Sequence, residues 1–346
     1  MIGWWVAAGV FAGALAGGSQ RTHELEWSRE SPLAFATELP GSDPGERVAI
    51  ARALGRLRSA DALDLLGGLR SDADDQVRVA AAEALAFTPG SVPLVREWLG
   101  ALDTASGPYA RARAAGGEAV ALLGALGHQG GSEEVAVLRE ALREPWPIGG
   151  SAARALGRMA IRKVPGVSAA IPDLCARLDG TDPRTVADVA WALSRVGLEG
   201  AVPDDLARVV RRIEGGGTYE TTRAWLYKAG WAHLDDPVRD RLFIEGMTDP
   251  SRLVRVAVLT ALRAEDVAAD VLSSWLADPD PWIRLAAVDA IGREGSPEAV
   301  EILLRRSESA AEPYARAAAI RAAGKGAAGK GTGAPFPAAR IAAARA

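Results

Sequence analysis

A thirteen-residue pattern recurs along the chain, and it restricts the fold to an array. Asp74 to Ala86 reads Asp-Asp-Gln-Val-Arg-Val-Ala-Ala-Ala-Glu-Ala-Leu-Ala, and Asp280 to Gly292 reads Asp-Pro-Trp-Ile-Arg-Leu-Ala-Ala-Val-Asp-Ala-Ile-Gly. The same frame covers Asp43 to Gly55, Ser251 to Arg263 and Glu312 to Gly324. Each copy ends in a small-apolar-small triplet, as in Ala53-Leu54-Gly55, Ala84-Leu85-Ala86 and Ala290-Ile291-Gly292, with an arginine six residues before it: Arg47, Arg78, Arg255, Arg284 and Arg316. Four of these arginines follow an acid by four residues, namely Asp43, Asp74, Asp280 and Glu312. Self-similarity at a period of about 30 to 40 residues is the mark of a stacked repeat protein.

Weaker copies stand at Ala155-Leu156-Gly157 and Ala192-Leu193-Ser194, without the arginine. The stretches Tyr109 to Leu126 and Tyr219 to Gly230 fill the remaining gaps, so that the array holds about nine units. Pro108 to Ala112 and Pro313 to Ala317 share all five residues, which supports duplication. Within a unit, Asp or Asp-Pro opens a first helix, because a carboxylate there accepts free amide hydrogens and proline loses no hydrogen bond. Val77, Ala80, Ala81, Ala84 and Leu85 then recur at helical spacing. A second amphipathic helix follows, as in Ser296 to Arg306 with Ala299, Val300, Leu303 and Leu304 on one side. No unit can bury such a face alone, so neighbours must stack. The Asp-x3-Arg spacing places acid and base one turn apart and predicts a staple within each first helix.

The run of Asp-Pro, Val-Arg, Ala-Ala and Ala-Leu-Gly, followed by a helix in the style of Pro-Glu-Ala-Val-Glu-Ile-Leu-Leu, resembles HEAT repeats. The likeness is to the short HEAT-like type first named from phycobilisome lyases, and it covers roughly residues 43 to 324. It implies an all-α fold: an α-solenoid, a right-handed superhelix, of about nine HEAT-like helical hairpins. In this family the second helices line the concave face, and the resemblance implies that another protein sits there. The candidate contact residues on second helices are Arg96, Arg139, Arg143, Arg177, Arg211, Arg212, Arg305 and Arg306. Solvated helix ends that complement the helix dipole are the plainer account of the same arginines.

Composition narrows the function. A net charge of −4 and a pI of about 5.6 argue against a general nucleic-acid binder, which carries a basic excess. The single cysteine, Cys175, rules out an internal disulfide framework and sits at a second-helix core position. His23, His128 and His233 are far apart, and no metal or nucleophile motif accompanies them, so no catalytic residue, cofactor, metal or small-molecule substrate is expected. Acid pairs such as Asp74 and Asp75, Glu133 and Glu134, and Asp204 and Asp205 read as helix caps. Trp98, Trp275 and Leu304 share one register and read as core, whereas Trp282 reads as half-exposed.

The ends differ from the array. Residues 2–18 are uncharged and rich in Trp, Val, Ala and Gly, and Ala14-Leu15-Ala16 offers a small-x-small cleavage site. Residues 1–18 therefore read as a secretory signal or, if uncleaved, a membrane anchor, and the protein is expected to be exported, periplasmic or envelope-associated in a bacterium. Residues 19–42 read as a linker, 43–323 as the repeat solenoid, and 324–346 as a basic tail rich in Gly, Ala and Lys. Gly324 to Thr332 misses the phosphate-binding loop by one residue, because Gly331 stands where the hydroxyl belongs. The last residues resemble the start of another helix, which implies that the natural protein continues. A non-catalytic interaction scaffold is the reading these features favour. The alternatives are an accessory repeat region of an enzyme whose catalytic domain, for example a prolyl isomerase, follows residue 346, and, on the family name alone, a pigment-lyase activity.

Overall fold

The computed structural model describes residues 32–103, 117–215, 219–262, 272–294 and 297–309, together with Ala317. Among these residues all regular structure is helical. The chain divides into two compact units, Met1–Val196 and Gly197–Ala346. Each is a run of short helices packed in series, an α-solenoid segment. The amino-terminal segment, the Gly324 to Thr332 loop and the basic tail lie outside the described residues.

In the first unit the helices are α1 (Pro44–Leu57), α2 (Leu63–Gly68), α3 (Asp75–Leu85), α4 (Val92–Asp103), α5 (Gly117–Gln129), α6 (Glu134–Ala141), α7 (Ile148–Ile161), α8 (Ile171–Arg177) and α9 (Pro183–Val196). The odd-numbered helices are the first helices of successive repeats, and they pack in order, α1 on α3, α3 on α5, α5 on α7 and α7 on α9. Each even-numbered helix lies against the first helix that follows it. A 3-10 helix at Pro32–Thr37 precedes α1 and packs on it, with Phe35 fully buried. Helical structure therefore begins inside the stretch expected to be linker.

The second unit contains α10 (Pro203–Glu214), α11 (Glu220–Gly230), α12 (Asp236–Met247), α13 (Arg252–Ala261), a 3-10 turn at Ser274–Ala277, α14 (Pro281–Glu294) and α15 (Pro297–Ser309). Here α11 packs on α13 and α13 on α14. Ala299 and Leu303 of α15 are buried as expected, while Leu304 is half-buried.

The triplets mark where first helices touch. A Cβ on Gly55 would lie 2.8 Å from the Cα of Ala84, and one on Gly127 would lie 2.7 Å from the Cα of Ala155. Gly157 meets Ala192 and the Trp191 ring in the same way. The last residue of one triplet thus faces the first residue of the next, and glycine there lets two backbones meet closely. Gly127 also shows that Ala125-Leu126-Gly127 is a further triplet, at the end of the stretch Tyr109 to Leu126. The first-helix pattern Val77, Ala80, Ala81, Ala84 and Leu85 is buried throughout.

Candidate interaction surface

Arg47 and Arg78 do not staple their own helices. The acid at the start of each first helix is an N-cap: Asp43 accepts from the Glu46 amide, Asp74 from Gln76 and Val77, and Asp280 from Trp282. With its carboxylate turned onto those amides, the arginine four residues on reaches elsewhere. Arg78 donates through Nη1 to the carbonyls of Asp72 and Ala73, Arg255 to those of Asp249 and Pro250, and Arg284 to those of Asp278 and Pro279. Each arginine therefore clasps the loop that leads into its own helix.

The same loops carry the link to the preceding repeat. Asp72 accepts the amide of Asp74 at 2.9 Å, and its two oxygens take Nε and Nη2 of Arg47 at 2.7 and 3.0 Å. Asp249 is used identically, holding the amide of Ser251 and a two-pronged contact from Arg223. Arg78 crosses to Glu118 of α5 at 2.7 Å, and that buried carboxylate also accepts from the Trp98 indole. Arg154 of α7 pairs with Asp188 of α9 at 2.5 Å. The hydrogen bond from Arg47 holds the Asp72 carboxyl below its usual range. Burial does the reverse to Asp188, whose carboxyl is raised despite Arg154. The staple expected from the sequence is thus replaced by ties between repeats.

Two of the eight second-helix arginines join a similar series. Arg96 of α4 binds Glu133 and Glu134, and Arg139 of α6 binds Asp173 of α8 at 2.6 Å. Arg177 donates to the Glu144 carbonyl. Arg305 lies 3.6 Å from Glu301 of its own helix. Arg143 and Arg211 are exposed, and Arg212 and Arg306 are half-buried. The acid pairs have mixed roles: Asp74 caps, whereas Glu133 and Glu134 serve Arg96, and Asp205 pairs with Arg208.

The aromatic expectations divide too. Trp98 is fully buried and Trp282 is 46% exposed, as read from the sequence. Trp275 is only half-buried, because its neighbour Leu276 takes the core position in the 3-10 turn. Cys175 is buried, as its core position implies. Phe87, Trp146 and Ile161 are exposed on the first unit. Phe87 lies 5.6 Å from the His128 ring, and Arg184 sits 4.0 Å over Trp146.

Among the described residues no group of acids, histidines and cysteines is placed to hold a metal ion, and no helix is long and apolar enough to cross a membrane. Residues 2–18 lie outside that statement.

Helical hairpins tied in series by loop-clasping arginines and close triplets define a helical-repeat scaffold. A family model for HEAT repeats matches residues 33–117 and 241–324, so these two segments are similar to HEAT repeats. No curated protein matches the sequence. Among solved structures the chain is similar to a crystal structure of an engineered protein, at 17% identity, over 91% of this chain and 92% of that one, with a TM-score of 0.46.

Proposed function

We propose that this protein is a non-catalytic scaffold that holds another protein and works in the bacterial cell envelope. One observation carries the reading. The residues that repeats share, the capping acids, the loop-clasping arginines and the triplets, all act within the array, so the side chains left outward differ from repeat to repeat. A partner can then be recognised by a few of them. On second helices Arg143, Arg211 and Arg305 present the exposed charge for a partner on the concave face, and the uncharged residues 2–18 would direct export or attachment.

Expression in a bacterial host tests both halves. The mature chain should begin near Gly17 and leave the cytoplasm, and a photo-crosslinking side chain at Arg143 or Arg211 should trap a discrete adduct. An intact Met1 in the cytoplasmic fraction would contradict the location. Absence of any adduct from every exposed position tried would contradict the scaffold.

A further inference from the structure

The residue three places after the start of each triplet is Arg56 in α1, Phe87 after α3, His128 in α5, Arg158 in α7 and Arg195 in α9. Since the first helices pack in order and their triplets touch, these five positions form one row across consecutive helices of the first unit. The row contains two rings in contact, Phe87 and His128, and no acid. Arg195 stands 5.7 Å over the Trp191 ring, which itself reaches across to Gly157 of α7.

Arg158 is the informative member. It is half-buried, yet among the described residues its guanidinium has no hydrogen-bond or ion-pair partner, in a protein whose other inter-helix arginines are engaged. Asp188, the acid whose charge acts on Arg158, is bound by Arg154. Arg162, one turn further along α7, is turned onto the carbonyls of Gly127 and Gly130 that end α5. Burial, and then Arg154, push the Arg158 guanidinium below its usual value. A half-buried cation flanked by cations lacks an anion.

We propose that the row Phe87, His128, Arg158 and Arg195 is a docking surface for an extended acidic segment of a partner protein, with one carboxylate seated on Arg158 and another on Arg195. This rests on the scaffold reading and deepens it. Packed helices are about 8 to 10 Å apart and an extended chain advances about 3.3 Å per residue, so acids about three residues apart match adjacent helices. The Phe87 ring then takes an apolar side chain from the same segment. A nucleic acid fits less well, because the chain as a whole carries a net charge of −4.

The test uses the full-length protein, a fluorescein-labelled synthetic peptide with two glutamates three residues apart followed by leucine, and fluorescence anisotropy at low salt. The parent should bind, and Arg158→Glu and Arg195→Glu should each raise Kd about tenfold, equivalent to about 1.4 kcal/mol, with unchanged helical circular dichroism. The same charge reversal at Arg143, which follows α6 and lies off the row, should leave Kd unchanged. No binding by the parent, or equal binding by the parent and both variants, would overturn the proposal. So would displacement of the peptide by an oligothymidylate as readily as by unlabelled peptide. The scaffold reading would still be judged separately, by the crosslinked adducts, which do not depend on this peptide.

Discussion

At the scale of single residues, glycine has two opposite uses in this chain, and substitution separates them. Gly127 faces the backbone of Ala155 across two packed helices, with no room for a methyl group. Gly100 lies inside α4 and faces open space. Alanine is the better helix former by about 1 kcal/mol, so Gly100→Ala should raise the stability of the fold by up to that amount. Gly127→Ala should lower it by about 1 to 3 kcal/mol, because the obstructing atoms are main chain and the helices must separate. Chemical denaturation of both variants measures the two signs. A gain in stability from Gly127→Ala would show that the triplets do not set the helix spacing.

The carboxylates differ in the same way. Asp72 is held below its usual range by Arg47, so its stabilising effect is complete above about pH 4 and is lost as the pH falls through the native value. Asp72→Asn should therefore be less stable than the parent at neutral pH and lose less on acidification. Buried Asp188 has the opposite sign: its ionisation weakens the fold, and that penalty is relieved as the pH falls from its raised native value toward about 4. Melting temperatures across the acid range for Asp72→Asn and Asp188→Asn should diverge in these directions.

At the scale of the helix, α14 shows which faces the repeat buries. Ile283, Ala287 and Ile291 are fully buried, and Leu285, which an inter-repeat core reading of the pattern would include, is only half-buried. A charge at Ile283 would be taken out of solvent entirely. Ile283→Asp should cost about 3 to 5 kcal/mol, and Leu285→Asp less than about 2. Denaturant midpoints would expose an error in the assigned face if the order were reversed.

The helices and their starts were legible in the sequence because the determining spacings are local: the capping acid at Asp74 and the buried row from Val77 to Leu85 lie within one helix. The arginine partners were not. Asp74 stands one helical turn before Arg78, yet its Oδ1 already holds two amides, and the chain reversal brings Glu118, 40 residues away, into reach. Nor did the sequence mark Arg158, whose distinguishing property is a missing partner, visible only once Arg154 and Asp188 have been placed together.

For the molecule as a whole, stability is a sum of neighbour-to-neighbour terms, and the central claim is that the shared residues supply those terms between repeats rather than inside each helix. Arg47 with Asp72, Arg78 with Glu118 and Arg223 with Asp249 repeat one device along the two units. The direct measurement is a pair of double-mutant cycles on Arg78→Ala, one with Glu118→Gln and one with Asp74→Ala, read by chemical denaturation. Coupling of about 1 to 3 kcal/mol to Glu118, with less than about 0.5 to Asp74, is the expected result. Strong coupling to Asp74 and none to Glu118 would contradict the account.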